Sequence, residues 1–311
     1  MELENSAPPQ QLSALVVTHE RPQLLRNLLQ SLVEVGRHRW ASVVVVDDSK
    51  TPGHLGDLHA ELPLRHLVLP HRVFVTRAKN IGLAEISSPY VLIIDDDNVV
   101  TGSSIDRPLR RLATERRLAA VMPSVLYRGA PDLVWVYATP FRSDRWGFQL
   151  LGRNRPRDPR LEGRAHPTDA LPNAAFFRTE ALRQVGGYDE GFTVNSSADL
   201  CQRLKRAGWL VEADAGSFVH HDVELPGRPG YWAAHTSTDP ERTYHETIDW
   251  FRLERGIHSG EPALVARLLY HSIGWIAPLL VALAIRPGAN RLRTLGAVVK
   301  GLRDGLGSVR D

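Results

Sequence analysis

The sequence predicts an α/β fold: a mostly parallel mixed sheet flanked by helices, with a C-terminal helical extension. Three observations carry that expectation. Short apolar runs, "ALVVT", "SVVVVDDS" and "YVLIIDDDNVV", have the composition of strands buried on both faces and end in polar or acidic residues. Segments with leucines at helical spacing lie between them, the alternation expected of parallel strands joined by helices. From about Thr236 onward the chain reads as predominantly helical.

Each element follows from its residues. After a polar lead, "ALVVT" is the first strand. In "RPQLLRNLLQSLVEVG" the residues Leu24, Leu25, Leu28, Leu29, Leu32 and Val33 form one helical stripe, with Pro22 in the first turn and Gly36 at the end. "SVVVVDDS" and "RHLVLP" give the second and third strands, "RAKNIGLAEI" a helix, and "YVLIID" the next strand. From about Pro123 the aromatic, proline-rich and arginine-rich "DLVWVYATPFRSDRWGFQLLGRNRPRDPR" reads as long ordered loops. "TEALRQVGGYDEGF" then gives a short helix and a glycine turn. "DLCQRLKRAGW" is a helix with Leu200 and Leu204 on one face, and "GSFVHHDV" is a strand ending in two histidines. No internal repeat interrupts this order.

Composition narrows the function. Of the 311 residues 43% are hydrophobic and 23% charged, as in ordinary globular proteins, and a net charge of +3 gives no reason to expect nucleic acid as a partner. Only four of the 38 basic residues are lysine, a bias typical of a GC-rich bacterial genome. The single cysteine, Cys201, excludes an internal disulfide and fits a reducing compartment. "MELENSAPPQQL" lacks the basic start and apolar core of a secretory signal, so the expected location is the cytoplasm.

The three consecutive aspartates after the strand at residues 90–94 need explanation, because clustered carboxylates call for a cation, a proton or full solvation. In parallel sheets ligands bind beyond the carboxyl ends of strands, which places Thr18, Asp47 with Asp48, and Asp95 to Asp97 around one crevice. Strand alternation points Asp95 and Asp97 to one side and Asp96 to the other. An Asp-x-Asp pair of that kind suits a hard divalent cation that also clamps a diphosphate. Acidic turns are equally common as helix caps, and the aspartates alone do not decide between the two uses.

The context does. The stretches "VVTHERPQLLRNLLQSL", "VVVVDDS", "RAKNIGLAEISSPYVLIIDDDN" and "GGYDEGF…DLCQRLKRAGW", in that order over the first two thirds of the chain, resemble family-2 glycosyltransferases with the GT-A (Rossmann-like) nucleotide-sugar fold. The resemblance implies a nucleotide-sugar-binding half over 1–122, an acceptor-binding and catalytic half of the same domain over 123–235, and a helical extension over 236–311. It implies a nucleotide-diphosphate sugar donor, UDP-type in the first instance, and a divalent manganese or magnesium ion. Thr18, His19, Arg21, Asp47 and Asp48 are expected around base and ribose, Lys79 near the diphosphate, and Asp95 and Asp96 at the ribose. Asp97 and Asp95, with His220 or His221, are the expected metal ligands; these histidines alternate along a strand, so one of the two faces the crevice. Trp135, Tyr137 and Trp146 are candidates for stacking on a sugar.

One part of the family pattern is absent. An acidic pair before the "DL" of the helix usually supplies the base, whereas this chain has "NSSADL", with Ser196 and Ser197 at those positions. The expected base is therefore Asp199, with Asp189, Glu190 and Asp169 in reserve. The expected function is metal-dependent sugar transfer from the nucleotide-diphosphate donor, with inversion at the anomeric carbon. A retaining transferase and a non-catalytic binder of nucleotide or sugar are the alternatives. The acceptor is a lipid-linked sugar, a natural product or a peptide, and no oligomeric state follows. The apolar "IGWIAPLLVALAI" at 273–285, followed by Arg286, Arg291, Arg293, Lys300 and Arg303, reads either as a core helix with a solvated one after it or as a peripheral contact of residues 273–303 with the inner face of a membrane.

Overall fold

The computed structural model describes residues 11–142, 147–226, 239–257, 276–277, 279–281, 283–284 and 290–308. Strand β1 (Leu12–Thr18) lies between β2 (Trp40–Asp47) and β4 (Tyr90–Asp95), and β3 (Leu64–Val68) continues the sheet beyond β2. These four strands are parallel, and the valines, leucines and isoleucines of β1, β2 and β4 are almost wholly buried because helices cover both faces, whereas Val68 at the end of the outer β3 is exposed. Helix α1 (Pro22–Glu34) buries Leu25, Leu28, Leu29 and Leu32, the stripe expected from their spacing. Helix α2 (Phe74–Ala84) begins three residues earlier than its sequence signal.

Beyond β4 the sheet becomes mixed. The short β5 (Asn98–Val99) leads to α3 (Gly102–Thr114), β6 (Leu118–Tyr127) and β7 (Ala130–Val136), then to the two-residue strands β8 (Phe141–Arg142), β9 (Gly147–Phe148) and β10 (Arg155–Pro156). Three further strands, β11 (Ala165–Pro167), β12 (Ala174–Arg178) and β13 (Leu210–His221), and helices α4 (Thr179–Gln184) and α5 (Ser196–Arg206) complete the domain. Strand β12 runs antiparallel between β4 and β6, and β13 runs parallel to β6.

The loops expected after Pro123 are thus corrected. All ten residues of β6 are buried, and β6 crosses the expected boundary at residue 122, so both halves share one sheet. Pro123 has no N–H to give a ladder, and it sits where the β6–β13 register shifts between Asp214 and Phe218, the kind of irregularity at which a strand tolerates proline. Helix α3, also unannounced in the sequence, starts with a capping box between Thr101 and Ser104 and carries Pro108 inside it.

The C-terminal extension contains α6 (Pro240–Ile257) and α7 (Arg291–Ser308), which pack against each other. A Cβ on Gly301 would sit 2.7 Å from the Thr247 side chain, and one on Gly305 2.7 Å from that of Phe251. Glycine at these two positions, four apart, lets α7 approach α6 closely. Leu279 and Leu283 join Val298 and Leu302 of α7 in a small core, whereas Leu280 and Val281 are exposed. The described part of 273–285 therefore has one face packed and one exposed, so it is not the wholly buried core helix of the first reading. Among the described residues no helix is long and apolar enough to cross a membrane.

Candidate active site

A crevice of about 930 Å³ opens at the carboxyl ends of β1, β2 and β4 and is closed on its other side by the start of α5 and by α6. Strand β4 ends at Asp95, and the chain turns at Asp96 and Asp97, so the expected alternation stops there. All three aspartates line the crevice as a result. Asp96, 4% exposed, accepts from Thr18 Oγ1 at 2.7 Å. Arg21 Nη1 lies 3.2 Å from Asp96 Oδ1 and 3.1 Å from Asp97 Oδ2, so one guanidinium bridges two carboxylates. Burial opposes the charge on Arg21, but Asp96 and Asp97 outweigh it and raise its pKa. Burial also pushes Asp96 up to about 6, against the Thr18 hydrogen bond and Arg21.

Asp97 is held differently. Its Oδ1 lies 3.3 Å from His221 Nε2 and accepts from Asn98 Nδ2 at 3.0 Å. Burial works to raise the Asp97 pKa, but His221 and Arg21 prevail and lower it. Backbone pairing fixes this geometry: β13 pairs with β5 through His220–Val99 and His221–Asn98, and the Asp222 N–H donates to the Asp97 carbonyl at 2.7 Å. His221 meets Trp135 edge-on, with ring centroids 5.1 Å apart, and Arg153 stacks over Trp135 at 3.9 Å. Burial lowers the Arg153 pKa to about 10. Lys79 Nζ lies 3.4 Å from Asp95 and 5.4 Å from the Tyr188 ring; burial disfavours its charge, yet Asp95 and Tyr188 raise its pKa.

Several expected site residues lie elsewhere. Asp47 is buried; its Oδ1 accepts from the Ser49 N–H at 2.9 Å and its Oδ2 faces His66 Nε2 at 3.2 Å. Asp48 takes the crevice position instead, bonded to His19 Nδ1 at 2.8 Å and the Val73 N–H at 2.8 Å. His220 sits on the opposite side of β13 from His221, where burial first, then Arg128 and Arg157, lower its pKa. Tyr137 is fully buried, its hydroxyl donating to Glu162 and accepting from the Asp158 N–H, so it has no face for a sugar. Trp146 lies outside the described residues.

The expected bases are also corrected. Asp199 pairs with Arg203 at 2.7 Å one turn along α5, and Arg203 is itself tied to the carbonyls of Val185 and Gly187. Asp189 accepts from the Gly191 N–H, and Asp169 binds Lys205 Nζ and the Phe141 N–H. Glu190 accepts from Asn80 Nδ2. None of the four lines the crevice, whereas Ser196 and Ser197 do. Ser197 Oγ accepts from the Leu171 N–H, a scaffolding role open to a hydroxyl. Sequence reasoning also missed Arg153, Phe74 and the α6 residues His245, Glu246 and Trp250, all in the crevice wall. Phe74 has φ +63°, uncommon for an aromatic residue, and Arg72 stacks on it at 4.5 Å.

Comparison with known proteins agrees with this architecture. The family model described as Glycosyl transferase family 2 matches residues 13–186, more than half of the chain. A pre-mycofactocin glycosyltransferase of Mycobacterium tuberculosis is 30% identical over 206 residues, 64% of this chain and 40% of that protein. The beta-1,4 N-acetylgalactosaminyltransferase 1 of Mus musculus is 28% identical over 193 residues, 56% of this chain and 33% of its own length. The matches thus span well under half of these relatives. Among solved structures, GalNAc-T7 with UDP, GalNAc and Mn2+ superposes with a TM-score of 0.57 at 13% identity, covering 85% of this chain and 54% of that one. The mannosyltransferase PcManGT from Pyrobaculum calidifontis, in complex with GDP-Man and Mn2+, gives 0.53 at 17% identity, covering 98% and 88%. At such identities these likenesses establish the GT-A fold alone.

Proposed function

The chain belongs to glycosyl transferase family 2, and from that premise we propose that it moves a sugar from a nucleotide-diphosphate donor to an acceptor hydroxyl. The observation that carries this reading is the convergence of Arg21, Asp96, Asp97 and His221, with Lys79 nearby, at the end of one parallel strand. Arg21 and Lys79 supply positive charge for a diphosphate, and a guanidinium can grip phosphate oxygens in pairs. Thr18, His19 and Asp48 sit on the same wall, where base and ribose are the matching groups.

A divalent cation fits these residues. The carboxylate of Asp97 and the imidazole of His221 are hard-to-borderline donors suited to manganese or magnesium, and Asp95 is a third candidate from the same turn. Among the described residues no three of His, Cys, Asp and Glu gather as a complete cage. When bound, such an ion neutralises charge on the departing diphosphate. The protein's own part is to hold the donor between Arg21 and Lys79 and to present the acceptor from the α5 and α6 side. Attack in line inverts the anomeric carbon. The nucleotide is chosen by the same experiment that tests donor binding.

That experiment is calorimetry of UDP- and GDP-sugars with and without manganese, on the wild-type chain and on Asp97→Ala. The variant is expected to lose manganese-dependent affinity and to turn over about a hundredfold slower or worse, as expected when several kcal/mol of charge stabilisation are removed. Unchanged manganese-dependent affinity in Asp97→Ala would refute the assignment. Product of the donor's own anomeric configuration would move the enzyme to the retaining class.

A further inference from the structure

The serines at 196 and 197 leave the acceptor without the base that sequence comparison leads one to expect, and the crevice contains few replacements. Asp48, Asp95, Asp96 and Asp97 are each engaged at the donor end. Asp239 accepts from the Arg242 N–H at the start of α6, and Glu241, more than half exposed, faces Arg72 at 3.8 Å. Glu246 differs from all of them. It is partly buried, lines the crevice together with Asn195, Ser196, Ser197 and Ala198, and makes no hydrogen bond or ion pair among the described residues.

Its position is well braced. One turn of α6 further on, Asp249 Oδ2 accepts from the N–H groups of Thr193, Val194 and Asn195 at 2.9, 2.6 and 3.0 Å. The neighbouring His245 Nδ1 lies 3.4 Å from Thr193 Oγ1. The stretch that leads into Ser196 therefore hangs from the same helix that carries Glu246, which fixes the carboxylate relative to the start of α5.

We propose that Glu246, on the C-terminal helix α6, is the general base that takes the proton from the acceptor hydroxyl. This rests on the transfer reading above and assigns to α6 the role that the residues before "DL" lack. In the step, the acceptor oxygen forms a bond to the anomeric carbon and its proton passes to the Glu246 carboxylate. The bond from that carbon to the β-phosphate oxygen breaks, and its electron pair leaves with the nucleoside diphosphate. Burial first pushes the Glu246 pKa up, Arg242 opposes, and Asp249 adds to the rise, which brings the group toward the range in which a base is most effective.

The test needs no knowledge of the natural acceptor. The full chain with manganese is given UDP-glucose, UDP-galactose, UDP-N-acetylglucosamine, UDP-N-acetylgalactosamine or GDP-mannose. Release of nucleoside diphosphate is followed with water as acceptor, then with added sodium azide. Azide arrives as an anion and has no proton to lose, so it bypasses a missing base. Glu246→Gln and Glu246→Ala are expected to lower release with water by about a hundredfold or more, the usual worth of general base catalysis, at unchanged donor affinity. Azide is expected to restore release in Glu246→Ala and to give a glycosyl azide of inverted configuration. Release with water at the wild-type rate in Glu246→Gln would overturn the proposal, as would donor binding without azide turnover in Glu246→Ala. Failure of the wild-type chain to bind any of these donors would refute the transfer reading itself.

Discussion

Replacing Asp249 by alanine tests whether α6 organises the acceptor side of the crevice. Asp249 is 1% exposed, and a single oxygen takes three backbone N–H groups in succession. Hydrogen bonds to a charged group contribute about 1.5–3 kcal/mol each, which sets an upper bound near 9 kcal/mol for the three. The freed N–H groups border the crevice and recover part of that from water, so the expected loss for Asp249→Ala is about 3–4 kcal/mol. Asp249→Asn keeps an acceptor oxygen in place without its charge and should lose about 1–2 kcal/mol. Urea unfolding with an unchanged m-value measures both losses. A loss below about 1 kcal/mol for the alanine variant would show that the stretch 193–195 holds its shape without α6 and would refute the reasoning.

Other consequences are open to direct measurement. Cys201 is fully buried and burial drives its thiol pKa upward, so a thiol reagent such as DTNB should label the native protein only at the rate of unfolding; rapid stoichiometric labelling would contradict its placement. Because the Glu246 pKa is raised in the folded state, the native protein binds that proton more tightly than the unfolded chain, and stability falls as pH rises through and above the ordinary glutamate value. Glu246→Gln should therefore raise Tm at pH 8 and leave it unchanged near pH 4, and a lower Tm at pH 8 would reject the sign of the shift. The exposed Leu280, Val281, Leu292 and Val299, with Arg291, Arg293 and Arg303 beside them, predict salt-sensitive flotation with anionic liposomes; equal flotation with neutral ones, or none with either, would dismiss a membrane contact.

The crevice at the strand ends was legible in the sequence because its determinants are local. A run such as Val43–Val46 can be stable only between helices, and the chemistry at such a strand's end follows from sheet geometry. The direction of Asp96 was misread because alternation holds within a strand and the chain turns one residue earlier. Strand β6 was hidden by Pro123, whose missing N–H is accommodated only by an irregularity in β13, nearly a hundred residues away. Likewise nothing near Glu246 marks it as a site residue. Its significance comes from a helix folding back onto the start of α5, and from Asp199, nearer to the expected position, being consumed by Arg203.

The pairing of β5 with β13 separates two things that usually vary together. Backbone hydrogen bonds decide where position 221 stands relative to Asp97, while the side chain decides only which donor atom is offered there. An exchange such as His221→Asp or His221→Asn thus keeps the backbone anchor beside Asp97 while replacing a long imidazole by a shorter oxygen donor of different hardness and charge. Under the metal reading proposed above, position 221 is accordingly a place where metal preference can be retuned, by selection or by design, with the backbone pairing of β5 and β13 left intact.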